Sequence, residues 1–128
     1  MSRRRIERLN EQLKREVVEI LRREVRDPRV GPVTITELET SPDLAISRLY
    51  VHAMEEDAGR RAELMEGLRA AAPFIRGELG RRLHIRRSPE LVWVWDETFE
   101  YAQRIERLLA EVRPADAPDD EEPGRDAD

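Results

Sequence analysis

His52 and His84 are the two histidines of the 128-residue chain, and there is no cysteine. The histidines fall in separate predicted elements, and neither has a partner at metal-motif spacing. No His-Glu-x-x-His, phosphate-binding loop or nucleophile elbow is present. Acidic pairs such as Glu55–Glu56 fall in a loop that reads as solvated, so paired carboxylates would have to be assembled by the fold. The residues thus point away from catalysis, and no metal or cofactor is expected.

Arginine offers the other chemistry. All the basic side chains but Lys14 are arginine, and arginine's planar fork suits phosphate. Two clusters stand out. Arg3, Arg4, Arg5 and Arg8 open the chain. Arg76, Arg81, Arg82, Arg86 and Arg87 lie within residues 74–87, against the single acid Glu78. On a helix, Arg76, Gly77, Gly80, Arg81, His84 and Arg87 share about 140° of one face, at 100° per residue. Ile75, Leu79 and Leu83 fall on the other. The two glycines admit two readings: they let a phosphodiester backbone approach closely, or they let a neighbouring helix pack tightly. Gly77-Glu78-Leu79-Gly80 matches the G-x-x-G of KH domains by letter. Glu78 is nonetheless a poor neighbour for phosphate, and Pro73 is the stronger breaker. Trp93 and Trp95 could stack on bases, but strand alternation assigns them to the covered core.

The elements that must position these residues follow from periodicity. Ile6, Leu9, Leu13, Val17, Ile20 and Leu21 form one stripe on a helix over 3–26, which Asp27-Pro28 ends. Residues 33–40 and 44–53 read as strands joined by a Ser41-Pro42-Asp43 turn. Ala45, Ser47, Leu49, Val51 and Ala53 should face helices, with Ile46, Arg48, Tyr50 and His52 on the open face. A helix over 60–72 carries Leu64, Met65, Leu68 and Ala71 inward. Proline removes a donor and clashes with the preceding turn, so a break is expected at Ala71–Ala72–Pro73. A second helix would run to about His84, its first amides, at Phe74, Ile75 and Arg76, facing an anion. The plainer reading is a kink between two core helices. Glu90 to Trp95 is the third strand. Asp96 can cap a last helix with Ala102, Ile105, Leu109 and Val112 inward. The order helix-strand-strand-helix-helix-strand-helix predicts an α+β domain of two layers.

Residues 114–128 differ in character. They carry seven acidic residues against Arg125, with alanine as the only apolar type. Such a segment cannot bury enough surface to offset its ordering entropy, so a disordered acidic tail is expected after a domain over 1–113. Without it, the 23 basic and 28 acidic residues of the chain become 22 and 21. The remaining charge is uneven, with ten basic and six acidic groups in residues 1–29, which suggests a face for a polyanion. No stretch approaches the ~20 apolar residues of a membrane helix, and the absence of cysteine fits a reducing compartment.

Several short motifs in a fixed order resemble the bacterial ribosome-binding factor A family. They are Glu24-x-x-Asp27-Pro28-Arg29-x-Gly31, Val33-Thr34-Ile35-Thr36, Ser41-x-Asp43-Leu44 and Tyr50-Val51. They continue with Phe74-Ile75-Arg76-x-x-Leu79-Gly80, Pro89-Glu90-Leu91, Asp96 and Arg104-Ile105-x-x-Leu108-Leu109. The resemblance covers about residues 4–112. It implies a KH-like fold of the second topological type. It also implies a cytoplasmic, non-enzymatic factor that binds free 30S subunits late in assembly and aids maturation of the 5′ region of 16S rRNA, with cold adaptation a family trait. That family replaces the KH glycine loop with an interrupted helix marked Ala-x-Gly. Here the positions are Ala71-Ala72-Pro73, with proline where glycine is usual. The expected partners are the 30S subunit and its 16S rRNA, with the chain a monomer. A KH-like module for other single-stranded RNA, or a protein-interaction module using the open sheet face, are the alternative readings.

Overall fold

A computed structural model describes residues 2–54 and 58–112. Six elements follow in order: α1 (Arg3–Arg23), β1 (Thr34–Thr40), β2 (Ile46–His52), α2 (Ala58–Leu83), β3 (Glu90–Trp95) and α3 (Glu97–Val112). The sheet order is β1-β2-β3, with β1 and β2 antiparallel and β2 and β3 parallel. A parallel neighbour requires a crossover, and α2 supplies it.

The hairpin forms as its turn residues dictate. The Leu44 amide donates to the Ser41 carbonyl at 2.8 Å, and the Asp43 carboxylate accepts from the Ala45 amide at 3.1 Å and the Ser41 hydroxyl at 2.7 Å. In β1 the register shifts between Ile35 and Glu37. The extra residue, Thr36, resets the alternation, so that Ile35 before it and Leu38 and Thr40 after it are all buried. The Thr36 hydroxyl is engaged within this bulge, by the Asp96 carboxylate and the Tyr50 carbonyl.

Helices α1 and α2 cover one sheet face. Leu13, Val17, Ile20 and Leu21 of α1 meet Leu64, Met65, Leu68, Ile75 and Leu79 of α2 over Ile35, Leu38, Leu49, Val51, Leu91, Trp93 and Trp95. Both tryptophans therefore belong to the core, as their alternation predicts. His52 does not join the open face with Arg48 and Tyr50; it is buried, its ring 4.9 Å from that of Trp95. It is the last residue of β2.

Two further expectations are corrected. The chain is helical throughout 58–83, with Pro73 inside α2, so one helix stands where two were expected. The break at Ala71–Ala72–Pro73 is absent, and the Phe74, Ile75 and Arg76 amides do not begin a helix. An interior proline costs about 3 kcal/mol. Fully burying a large aliphatic side chain contributes about 1.5–3 kcal/mol, and Leu68, Ile75 and Leu79 are all fully buried along one uninterrupted stripe. Pro73 lies opposite that stripe and is exposed, where the carbonyl it strands can turn to water.

The second correction concerns α3. Residues through Asp96 form one compact unit, and a second begins at Glu97. No residue of α3 is buried; Ala102, Ile105, Leu109 and Val112 are exposed rather than inward.

Candidate nucleic-acid interface

The first cluster sits on the opening turns of α1. Ser2 caps the helix, its hydroxyl accepting the Arg5 amide at 3.2 Å. Arg3, Arg4 and Arg5 fill the first turn, which contains no acidic residue. Cations at a helix N-terminus oppose the macrodipole, by about 0.3–1 kcal/mol each. Arg3, Arg4, Arg5 and Arg8 are all exposed, and no hydrogen bond or ion pair to another described residue engages their side chains.

The second cluster divides. Arg82 is consumed by structure: it bridges Glu16 at 3.0 Å and Glu78 at 3.5 Å, and it also pairs with Glu24. These carboxylates, led by Glu16, raise its pKa further, and they tie α2 to α1. Arg81 pairs with Glu78 one turn back, and its hydrogen bond is the largest influence holding the Glu78 carboxyl below its ordinary value. Arg76 turns inward. Its Nε donates to the Pro89 carbonyl at 3.0 Å and its Nη2 to the Ser88 carbonyl at 2.9 Å. Arg86 and Arg87 are exposed and enter no such bond among the described residues.

His84 has a positive φ of 55° just after the last residue of α2. The Ile85 amide donates to the Gly80 carbonyl at 3.2 Å. This is a Schellman-type end, with histidine where glycine is usual. Its backbone turns the chain out of the helix and so delivers Arg86 and Arg87 away from the α2 axis.

The glycines resolve. A Cβ at Gly77 would meet only the Arg81 guanidinium, at 3.9 and 4.0 Å, and one at Gly80 would rest on Ser88 Oγ and the Ile85 carbonyl at 3.4 and 3.5 Å, ordinary contacts. No neighbouring helix demands either glycine. Gly67 is the packing glycine: a Cβ there would lie 2.7 Å from Val30 Cγ2 and 3.1 Å from Arg29 Cβ. Its position, outside every motif, gave no hint of this.

The two clusters are separate. Arg82 abuts Glu16 of α1 and Glu24 at its C-cap, whereas Arg3–Arg5 lie 11–13 residues before Glu16. At 1.5 Å per residue, that is about 18 Å along the helix. His84 is exposed just beyond α2, whereas His52 is buried, and among the described residues no group of three or more His, Asp or Glu is placed to hold a metal. No described helix is long and apolar enough to cross a membrane.

A sequence model of ribosome-binding factor A matches residues 5–109. The chain belongs to the ribosome-binding factor A family. A Macrococcus caseolyticus ribosome-binding factor A is 40% identical over 108 residues, covering 84% of this chain and 94% of that protein. The crystal structure of ribosome-binding factor A from Thermus thermophilus superposes with a TM-score of 0.62 at 28% identity, over 70% of this chain and 92% of that one. Thermus thermophilus coordinates fitted into the cryo-EM map of a 30S–ribosome-binding factor A complex match with a TM-score of 0.56 at 31% identity, over 68% and 91%. The fold is accordingly the KH-like α+β arrangement that the ribosome-binding factor A resemblance implies.

Proposed function

We propose that this chain binds the 30S subunit late in assembly and supports maturation of 16S rRNA, including its 5′ end, without bond chemistry or a cofactor. The contacts are phosphate contacts, made by Arg3, Arg4, Arg5 and Arg8 on α1 and by Arg86 and Arg87 beyond α2. Gly77 leaves its exposed turn of α2 low enough for a phosphodiester backbone to pass, while Gly80 lies under the loop that follows α2. Arg81 flanks them, while Arg82 serves the fold. The protein works as a monomeric placeholder in the cytoplasm, favouring one rRNA shape over another.

The observation that carries this reading is the first turn of α1. Three adjacent arginines oppose the helix dipole there, with no acid to relieve them. A polyanion bound at that end would reverse the sign of this cost, because helix N-termini and arginines both favour phosphate. Kinship to a protein fitted into a 30S complex supplies the partner.

The test is the affinity of the full chain for purified 30S subunits across a salt series. Six phosphate contacts predict a log–log slope of about −4 to −5. Arg4→Glu with Arg8→Glu should weaken binding and flatten that slope while the melting temperature holds. A flat salt response, or preference for short single-stranded RNAs over subunits, would overturn the reading.

A further inference from the structure

Arginines on a loop bind phosphate well only if the loop is already in place, since ordering it on binding subtracts from affinity. Arg86 and Arg87 sit on such a loop, between the end of α2 and the start of β3. Three side-chain bonds close it. Arg76 donates from Nε and Nη2 to the Pro89 and Ser88 carbonyls, and the Ser88 hydroxyl donates back to the carbonyl of Arg76 at 2.7 Å. The bonds are reciprocal: side chain of 76 to backbone of 88–89, side chain of 88 to backbone of 76. The loop's entry is fixed by the left-handed His84 and the Ile85–Gly80 bond, and its exit by the Glu90 amide on the Ala45 carbonyl at 2.8 Å. Pro89 is buried, while Arg86 and Arg87 remain exposed.

We propose that Arg76 is a positioning residue, whose guanidinium fastens the Ser88–Pro89 backbone to α2 so that Arg86 and Arg87 are presented together to rRNA phosphate. This rests on the reading of Arg86 and Arg87 as phosphate contacts. The geometry separates Arg76 from them. Its fork spans two carbonyls of consecutive residues, a bidentate role that the point charge of lysine does not reproduce. The Nε–Nη2 edge of the fork, the one suited to a bidentate acceptor, is committed to the loop backbone.

The experiment measures the affinity of full-length variants for purified 30S subunits at one salt concentration, with thermal melts confirming that each is folded. Arg76→Lys and Arg76→Gln should both weaken binding by about tenfold, the equivalent of one charge-assisted contact. Ser88→Ala should weaken it less. In an Arg86→Ala/Arg87→Ala background, Arg76→Gln should have no further effect, because a positioning residue acts through the groups it positions. Wild-type affinity in Arg76→Lys would overturn the proposal, since charge alone would then suffice. So would an undiminished effect of Arg76→Gln in the double-alanine background. If Arg86→Ala/Arg87→Ala binds normally, the phosphate-contact reading fails and the positioning role falls with it. If that variant is weakened but Arg76→Gln and Ser88→Ala bind normally, the positioning role alone fails. Should Arg76→Gln not fold, Ser88→Ala, which deletes a single hydroxyl, decides by the same comparison: silence in the double-alanine background supports the role, and a persisting effect overturns it.

Discussion

The Asp27 carboxyl is lowered from its ordinary 3.8 to about 2. Its chief cause is the Arg29 side chain, whose Nε and Nη2 donate to it at 3.0 and 2.6 Å, joined by the Arg29 amide at 2.9 Å. Arg29 also reaches Glu66 at 3.4 Å, and its Cβ lies against Gly67. One small loop thus closes α1 and seats it on α2. A folded-state value below the unfolded one means that the unfolded chain binds more protons between them. The stabilisation is complete above pH 3.8 and is lost as pH falls toward 2. The site is solvent-screened, so the effect belongs to a local titration more than to global stability. NMR titration of the Asp27 carboxyl should give a midpoint near 2, moving up toward 3.8 in Arg29→Ala. An unmoved midpoint would show that the backbone amide, not the guanidinium, controls it.

Elements were legible where the local pattern and the packing agree. The α1 stripe, the Ser41–Leu44 turn and the inward tryptophans of β3 all read directly, because each repeats at its own period and meets the same core. Pro73 was not legible as a helix interior, because its local penalty is visible in sequence while the burial of Leu68, Ile75 and Leu79 that outweighs it is not. The stripe of α3 is equally real, but amphipathicity states what a helix could bury and not that it is buried. Arginines suffer most. Arg76, Arg82, Arg86 and Arg87 look alike in sequence, yet Arg82 is neutralised by Glu16, 66 residues away, and Arg76 is held by carbonyls 12 and 13 residues on. Only the fold sorts structural arginines from available ones. If Pro73 is a tolerated cost, Pro73→Ala restores the missing donor and should stabilise the protein by about 1–3 kcal/mol. Thermal denaturation would register this as a higher melting temperature. A fall instead would mean that the proline shapes α2 to its sheet.

At the scale of the whole molecule, charge is distributed so that binding and repulsion are separate in sequence. Residues 1–113 are nearly balanced, and the excess of acid belongs to residues 114–128, which lie outside the described residues. A balanced domain with two exposed arginine clusters would attract any RNA at low salt, because phosphate affinity of this kind carries little sequence information. A covalently attached run of acid that competed for the same arginines would do so at a high effective concentration. Weak, nonspecific RNA would lose that competition, whereas a 30S surface engaging both clusters at once would prevail. Deleting residues 114–128 should therefore tighten binding to unrelated short RNAs at low salt, leave affinity for 30S subunits much less changed, and narrow the ratio between them. The gain for short RNAs should shrink as salt is raised past the point where the Debye length falls below about 8 Å. The measurement is a paired salt titration of full-length and truncated chains against both ligands. Equal changes for the two ligands would show that the tail adds net charge without conferring discrimination.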